Sequence, residues 1–131
     1  MSTALEVMIV DDSDDLRELI GMVIERHPDG WQVVATAAEG EQAIAEARTS
    51  QPDLVLLDIA MPVMDGIQAL PQIRDVAPDA VVVMLSGYPF ATAGQSALDA
   101  GAHGYLEKKD LVHSLIPRLE RIMEGSPDGR G

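Results

Sequence analysis

Short apolar runs alternate along the chain with segments of helical periodicity. Leu54 to Leu57 is a run of four apolar residues, which is typical of a strand buried on both faces of a parallel sheet. Leu5 to Val10 is an apolar-rich run, and Ala80 to Leu85 is fully apolar. Trp31 to Ala35 and Tyr105-Leu106 are shorter candidates. The pattern therefore predicts five strands.

Each of these strands is followed by a segment that the sequence predicts to be helical. Ser13 is a candidate N-cap for the first helix, because its hydroxyl can accept a hydrogen bond from the first turn. Apolar residues then recur at helical spacing, which predicts one buried stripe. The second helix is predicted over Glu39 to Ser50, and the third is predicted to begin at Asp65-Gly66.

The remaining helices carry residues that disfavour helical structure. Tyr88 to Ala100 is a weak candidate, since it contains proline, threonine and glycine. Pro71 falls inside the third helix, where proline is unfavourable. Asp110 is predicted to cap the last helix, and Pro117 is predicted to interrupt it.

The alternation of strands and helices indicates the fold class. Short connections between apolar strands and amphipathic helices favour an α/β fold with a doubly wound, five-stranded parallel sheet and five helices. The length of 131 residues suits one domain, predicted over residues 1–124. Residues 125–131 are rich in glycine and are predicted to form a flexible C-terminal tail.

Polar side chains follow four of the five predicted strands. Because the carboxyl ends of parallel strands meet at one edge of a sheet, we expect these side chains to lie close together. Any one of them alone has a structural explanation, such as a turn or a surface charge. The side chains in question are Asp11 and Asp12, Asp58, Ser86 and Lys108.

This set of groups has a specific chemistry. Clustered carboxylates repel one another, and a hard cation such as Mg²⁺ with oxygen ligands relieves the repulsion. A carboxylate is also a nucleophile toward phosphorus and gives an aspartyl phosphate. Ser86 and Lys108 carry the hydroxyl and the ammonium that could hold phosphoryl oxygens.

Composition narrows the classes of partner and location. The net charge is -13, with 22 acidic and 9 basic residues, so the chain is repelled by nucleic acid and by anionic membranes. Cysteine is absent, so neither disulfides nor thiolate metal sites are expected. The sequence shows no signal peptide and no apolar run long enough for a membrane span, and we expect a soluble cytoplasmic protein.

From Leu5 to Met123 the sequence resembles the receiver domains of bacterial response regulators, which act in two-component phosphorelays. Four motifs in order carry the resemblance. They are Val10-Asp11-Asp12, the stretch from Leu57 to Gly66, Leu85-Ser86-Gly87, and the stretch from Gly101 to Lys108.

The resemblance implies a flavodoxin-like fold with strand order 2-1-3-4-5. It implies that Asp58 is the phosphoacceptor and that Lys108 binds the phosphate. It further implies that Mg²⁺ is held by Asp12, by Asp58 and by the backbone carbonyl of Ala60, with Asp11 acting mostly through water.

The resemblance also implies a switch and a set of partners. Ser86 and Tyr105 match the switch pair: when Ser86 is drawn toward the phosphate, it vacates space that Tyr105 fills. A sensor histidine kinase or a histidine phosphotransfer protein would supply the phosphate, and a downstream effector or output domain would respond. The face formed by the fourth helix, fifth strand and fifth helix would signal, with a homodimer as one possibility.

The chain departs from the family pattern near the site. Lys109 follows Lys108 where proline is common, so a cis peptide bond there is not assured. Ala60 offers no side chain to hold an attacking water, and Tyr88 is expected to shield the site. Such a domain is not an enzyme in the ordinary sense, although it promotes its own phosphoryl transfer and autodephosphorylation.

Two alternatives from other classes remain open. Asp12-Ser13-Asp14 imitates the Asp-x-Asp start of haloacid-dehalogenase-like phosphatases, which also use Mg²⁺ and an aspartyl phosphate. Leu16 stands where that motif has threonine or valine, which argues against this class. The second alternative is a degenerate receiver that acts only as an interaction module, and it would require a broken site.

Overall fold

The chain alternates between strand and helix throughout the computed structural model, which describes residues 4–125. The strands are β1 (Glu6–Val10), β2 (Gln32–Ala37), β3 (Leu54–Leu57), β4 (Val81–Ser86) and β5 (Gly104–Glu107). The helices are α1 (Asp14–Glu25), α2 (Gly40–Ser50), α3 (Gly66–Val76), α4 (Phe90–Asp99) and α5 (Leu111–Met123).

The strands form one parallel sheet in the order β2-β1-β3-β4-β5. This arrangement confirms the predicted fold class and strand order. Successive residues of a strand face opposite sides, so the buried residues of β3 alternate between two cores. Leu54 and Leu56 pack on the side of α1 and α5, whereas Val55 and Leu57 pack on the side of α2, α3 and α4.

The predicted N-cap of α1 and the predicted start of α3 are both confirmed. The Ser13 hydroxyl accepts a hydrogen bond from the Leu16 N–H at 3.2 Å and begins α1. Asp65 and Gln68 form a reciprocal capping box at the start of α3, with bonds of 2.8 and 3.0 Å. Both caps depend only on residues three apart in the chain, which is why the sequence reveals them.

The prediction that Pro117 interrupts the last helix is wrong. Helix α5 continues through it from Leu111 to Met123, and Pro71 lies in the same way inside α3. Both prolines are exposed. The buried stripe of α5, which includes Leu115 and Leu119, lies on the sheet and keeps the helix formed on either side of the proline.

The prediction that the Asp110 side chain caps α5 is also wrong. Asp110 occupies the N-cap position, but its φ of 55° is left-handed and its carboxylate makes no cap hydrogen bond. An N-cap side chain reaches the first turn from an extended backbone, as Ser13 does at φ -92°. The carboxylate instead contacts His113 Nδ1 at 3.1 Å.

Element ends differ modestly from the predictions. Helix α4 begins at Phe90 rather than Tyr88, with Pro89 at its N-cap. Strand β2 begins one residue after Trp31, whose ring stacks on His27 with centroids 4.0 Å apart. The predicted tail, apart from Gly125, lies outside the described residues. Among residues 4–125, none of the helices is long and apolar enough to cross a membrane.

Candidate functional site

Asp58 follows directly on β3 and is held at the carboxyl edge of the sheet. Its N–H donates to the Val10 carbonyl at 2.9 Å, which extends the pairing with β1. The residue is only 2% exposed. The loop after it turns back so closely that a Cβ on Gly66 would lie 2.1 Å from the Asp58 carbonyl oxygen. Glycine at position 66 is therefore required by the close approach of two backbone segments.

Three carboxylates meet at this edge, as the strand ends predicted. One oxygen from each of Asp11, Asp12 and Asp58 lies within 4.8 Å of the other two. Asp11 is buried, and its Oδ1 accepts a hydrogen bond from the Ser13 N–H at 2.9 Å. Asp12 is exposed to solvent. Of the three carboxylates, that of Asp12 is therefore open to solvent, while those of Asp11 and Asp58 are buried.

Lys108 brings a positive charge to this group from the end of β5. Its Nζ lies 2.8 Å from Asp11 Oδ2 and 3.1 Å from Asp58 Oδ1. Among residues 4–125, those two buried oxygens have no hydrogen-bond partner apart from this ammonium. The Lys108 N–H donates to the Ser86 carbonyl at 2.8 Å, which fixes the lysine beside β4.

Burial and charge oppose each other in setting the protonation of these groups. Burial, followed by the nearby Asp11 carboxylate, raises the pKa of Asp58, while Lys108 and a hydrogen bond from the Ala60 N–H act in the opposite direction. Burial alone would lower the pKa of Lys108, but the carboxylates of Asp11 and Asp58 outweigh it and raise the pKa. Lys108 therefore remains a cation that favours the ionised form of Asp58.

Ser86 and Tyr105 are both buried beside the β4–α4 connection, at 1% and 2% exposure. The Ser86 Oγ accepts a hydrogen bond from the Tyr88 N–H at 3.0 Å. The Tyr105 hydroxyl donates to the Tyr88 carbonyl at 2.7 Å, and its ring meets that of Phe90 edge-on at 5.5 Å. Burial raises the pKa of Tyr105, which keeps its hydroxyl protonated as a donor. The tyrosine thus already occupies the inward position that a switch would require it to enter.

Two other residues noted in the sequence are exposed to solvent. Ala60 lies in the loop after β3, and Tyr88 is 46% exposed. The peptide bond between Lys108 and Lys109 is trans, since the described residues contain no cis peptide bond.

Sequence reasoning missed two contacts around the site. Arg17 Nη1 donates to the Asp11 carbonyl at 2.5 Å, and the same guanidinium pairs with Asp14. The spacing of Asp14 and Arg17 indicates a pair within the helix, but not the contact with Asp11. Glu107 Oε2 accepts a hydrogen bond from the Phe90 N–H at 3.1 Å, a contact for which the sequence carries no local signal.

The donor set fits a hard divalent cation. The site has three clustered carboxylates, one of them exposed, and two buried carboxylate oxygens that contact an ammonium. This set suits Mg²⁺, which takes a few carboxylates and keeps several waters. No histidine or cysteine joins the cluster among residues 4–125, so softer metals are less well matched.

The comparisons with known proteins identify the family. Residues 7–120 match the family model described as response regulator receiver domain, and the chain therefore belongs to that family. A relative named protein-glutamate methylesterase/protein-glutamine glutaminase from Alkalilimnicola ehrlichii is 40% identical over 96% of this chain. The chain spans only 35% of the length of that relative.

Solved structures agree with this assignment. A two-component response regulator of the LuxR family from Aurantimonas sp. has a TM-score of 0.88 and 32% identity, covering 96% of this chain and 89% of the other. CheY in a complex with CheX, BeF₃ and Mg²⁺ from Borrelia burgdorferi has a TM-score of 0.80 and 30% identity, covering 93% and 89%. The predicted receiver function is confirmed, and neither the phosphatase nor the degenerate alternative gains support.

Receiver domains are signalling domains that bind Mg²⁺ at an acidic pocket and interact with histidine kinases, phosphotransfer proteins and output domains. In this chain the corresponding acidic group is the cluster of Asp11, Asp12 and Asp58. Membership of this family thus gives the class of function.

Proposed function

We propose that Asp58 is the phosphoacceptor of a two-component phosphorelay. It would receive a phosphoryl group in a Mg²⁺-dependent reaction from a phosphohistidine on a sensor kinase or phosphotransfer protein. The observation that carries the proposal is the buried carboxylate of Asp58 at the end of β3, 3.1 Å from the Lys108 ammonium and beside an acidic pair. A nucleophile, a fixed cation and a cation-binding group thus lie within one short edge of the sheet.

In the transfer, an Asp58 carboxylate oxygen forms a bond to phosphorus as the bond between phosphorus and the donor nitrogen breaks. The bonding pair leaves with the imidazole nitrogen of the donor, which takes a proton from the solvent. Lys108 would shift its contact from the Asp58 carboxylate to a phosphoryl oxygen, since charge-assisted bonds to phosphate are strong. Ser86 would donate its hydroxyl to a second phosphoryl oxygen after giving up its present contact with Tyr88.

Asp12, Asp58 and the carbonyl of Ala60 would hold Mg²⁺, with Asp11 acting through water. When bound, the ion neutralises negative charge that the carboxylates and the incoming phosphoryl group share. The exposure of Asp12 and the involvement of Asp11 with Ser13 and Lys108 support this division of roles. The related CheY complex that contains BeF₃ and Mg²⁺ is a further support.

Phosphorylation would be read out through Ser86 and Tyr105. Tyr88 is the shared partner of both side chains, because its N–H donates to Ser86 and its carbonyl accepts from Tyr105. Movement of Ser86 toward the phosphate would remove the first bond and alter the β4–α4 connection. We infer that the exposed face of α4, β5 and α5, with basic residues Lys109, Arg118 and Arg121, carries the signal to an effector, an output domain or a second copy.

The domain itself would act as a signalling module that promotes only its own phosphoryl transfer and autodephosphorylation, in the cytoplasm. Because the chain spans 35% of its methylesterase relative, the activity of a longer protein would depend on other segments.

The acceptor assignment is tested with Asp58→Asn, which keeps the side-chain shape and removes the nucleophile. The wild-type protein and the variant are incubated with Mg²⁺ and phosphoramidate, a small donor with a phosphorus–nitrogen bond. Intact-mass spectrometry should show one added phosphoryl group on the wild type and none on the variant. Asp53→Asn, at the opposite end of β3, is the matched control and should be labelled normally. Labelling of Asp58→Asn at the wild-type level would refute the assignment.

A further inference from the structure

The N-terminus of α4 is capped by a residue from another element. Pro89 occupies the N-cap position, where it makes no side-chain cap hydrogen bond because its ring has no acceptor. The first N–H groups of a helix have no partner within the helix and need an acceptor from elsewhere. Glu107 supplies one, since its Oε2 accepts the Phe90 N–H at 3.1 Å across 17 positions of sequence.

Glu107 lies on the same side of β5 as Tyr105, because residues two apart in a strand point the same way. Both side chains reach the segment that leads into α4: Tyr105 holds the carbonyl of Tyr88, and Glu107 holds the N–H of Phe90. The carboxylate also lies where the helix carries partial positive charge, which strengthens such a bond. Strand β5 therefore fixes the start of α4 at two points.

Glu107 is joined directly to the lysine of the acceptor site. Lys108 contacts Asp11 and Asp58 through its ammonium and Ser86 through its backbone N–H. Lys108 is thus only one peptide bond away from the residue that caps α4. A change in the position of Lys108 can therefore reach that cap. Tyr105 reaches the same segment through its hydrogen bond to the Tyr88 carbonyl and through the contact of its ring with that of Phe90. The bond from the Phe90 N–H to Glu107 is a separate connection.

We propose that Glu107 is a positioning residue that couples the acceptor site to α4: its carboxylate caps the helix, and the cap responds when Lys108 changes its partner at Asp58. The coupling rests on the proposed phosphorylation of Asp58. The capping of α4 by Glu107 does not depend on that function and can be measured in the unmodified protein.

Hydrogen exchange of α4 tests both parts, with beryllofluoride and Mg²⁺ as the phosphate mimic. In Glu107→Ala, unmodified α4 should exchange about fivefold faster than in the wild type, as expected for the loss of a helix cap. Glu107→Gln keeps an acceptor oxygen and should restore most of the protection. Glu39→Ala is the matched control, because Glu39 is at the N-cap of α2 without a side-chain cap bond.

The mimic separates capping from coupling. In the wild type it should change the exchange of α4, and in Glu107→Ala this response should shrink severalfold. Equal exchange of unmodified α4 in the wild type and Glu107→Ala would overturn the cap. A full mimic response in Glu107→Ala would overturn the coupling. If the mimic leaves the hydrogen exchange of the residues around Asp58 unchanged in the wild type, the proposed phosphorylation and the coupling built on it are both refuted. The comparison of the unmodified proteins still tests whether Glu107 caps α4.

Discussion

The ammonium of Lys108 lies 3.1 Å from Oδ1 of Asp58, although the two residues are 50 positions apart in the chain. The contact brings a cation from the end of β5 to a buried carboxylate at the end of β3. Burial and the Asp11 carboxylate raise the pKa of Asp58, and this contact opposes them, so it favours the ionised side chain that the proposed transfer requires. The same contact supplies the positive charge that an incoming phosphoryl group would meet.

Removal of the Lys108 cation should lower both the stability of the protein and the rate of phosphorylation. Lys108→Met leaves Asp11 and Asp58 buried without their partner, and the free energy of unfolding should fall by roughly 2 kcal/mol at pH 7. Labelling by phosphoramidate should become much slower. Urea unfolding and intact-mass measurements check the two effects. Lys109→Met, at the exposed neighbouring position, is the control and should change stability little. Equal effects of both substitutions would show that the contacts of Lys108 with Asp11 and Asp58 are not what matters.

The two neighbouring aspartates should differ in their effect on Mg²⁺ binding. Asp12→Ala should weaken binding about tenfold or more, and Asp11→Ala should weaken it less, because Asp12 is exposed while Asp11 is held by Ser13 and Lys108. NMR shift changes during a Mg²⁺ titration give both dissociation constants. Asp14→Ala tests whether removal of any nearby negative charge is enough to weaken Mg²⁺ binding. Similar weakening in all three variants would argue against direct coordination by Asp12.

Gly66 should not tolerate even one added carbon. In Gly66→Ala the new Cβ would lie 2.1 Å from the Asp58 carbonyl oxygen, so the loop must move and the free energy of unfolding should fall by about 3 kcal/mol. Thermal or urea unfolding measures this loss. Gly87→Ala is the control, since among residues 4–125 no atom beyond its two chain neighbours lies within 4 Å of the added Cβ. Wild-type stability of Gly66→Ala would show that the close approach is wrong.

Tyr105→Phe isolates the hydroxyl that holds the β4–α4 connection. Loss of its 2.7 Å bond to the Tyr88 carbonyl should lower the free energy of unfolding by about 1 kcal/mol while the ring stays packed. Amide exchange should quicken from Tyr88 into α4. Tyr88→Phe removes a hydroxyl from a side chain that is 46% exposed and should have little effect. Unchanged amide exchange in Tyr105→Phe would show that this hydroxyl takes no part in the switch.

His103 should make stability depend on pH. Its Nδ1 accepts a hydrogen bond from the Val82 N–H at 3.0 Å, which requires the neutral ring. Burial, followed by the charge of Arg74, lowers the pKa of His103 below its ordinary value of 6.5. The unfolded chain therefore binds a proton before the folded protein does, so this contribution to stability is present above pH 6.5 and is lost as pH falls through the folded-state pKa.

The corresponding experiment compares urea unfolding of the wild type and His103→Gln at pH 7.5 and pH 5. The free energy of unfolding of the wild type should fall more than that of the variant over that interval, because glutamine does not titrate. His113→Gln changes an exposed histidine and should follow the wild type. Identical pH dependence of the wild type and His103→Gln would show that His103 does not titrate as expected.

Local patterns were enough to predict most of the fold. The apolar run of β3 ends at Asp58, Ser13 begins α1, and Asp65 begins α3, all as expected from their immediate neighbours. The two wrong predictions, at Asp110 and Pro117, concern helix α5. There the packing of a buried stripe on the sheet outweighs the helix-breaking tendency of proline, and a left-handed backbone turns a plausible cap away from its helix.

The sequence by itself determined the alternation of elements, the family, and the polar residues at the ends of the strands. Only the tertiary structure decided which of those residues touch: Lys108 reaches Asp11 and Asp58, and Glu107 reaches the start of α4. Strand periods and helix caps are set by residues within a few positions of one another, so they can be predicted from the sequence. Contacts between strand ends depend on the order and register of the strands, which bring together residues that are distant along the chain.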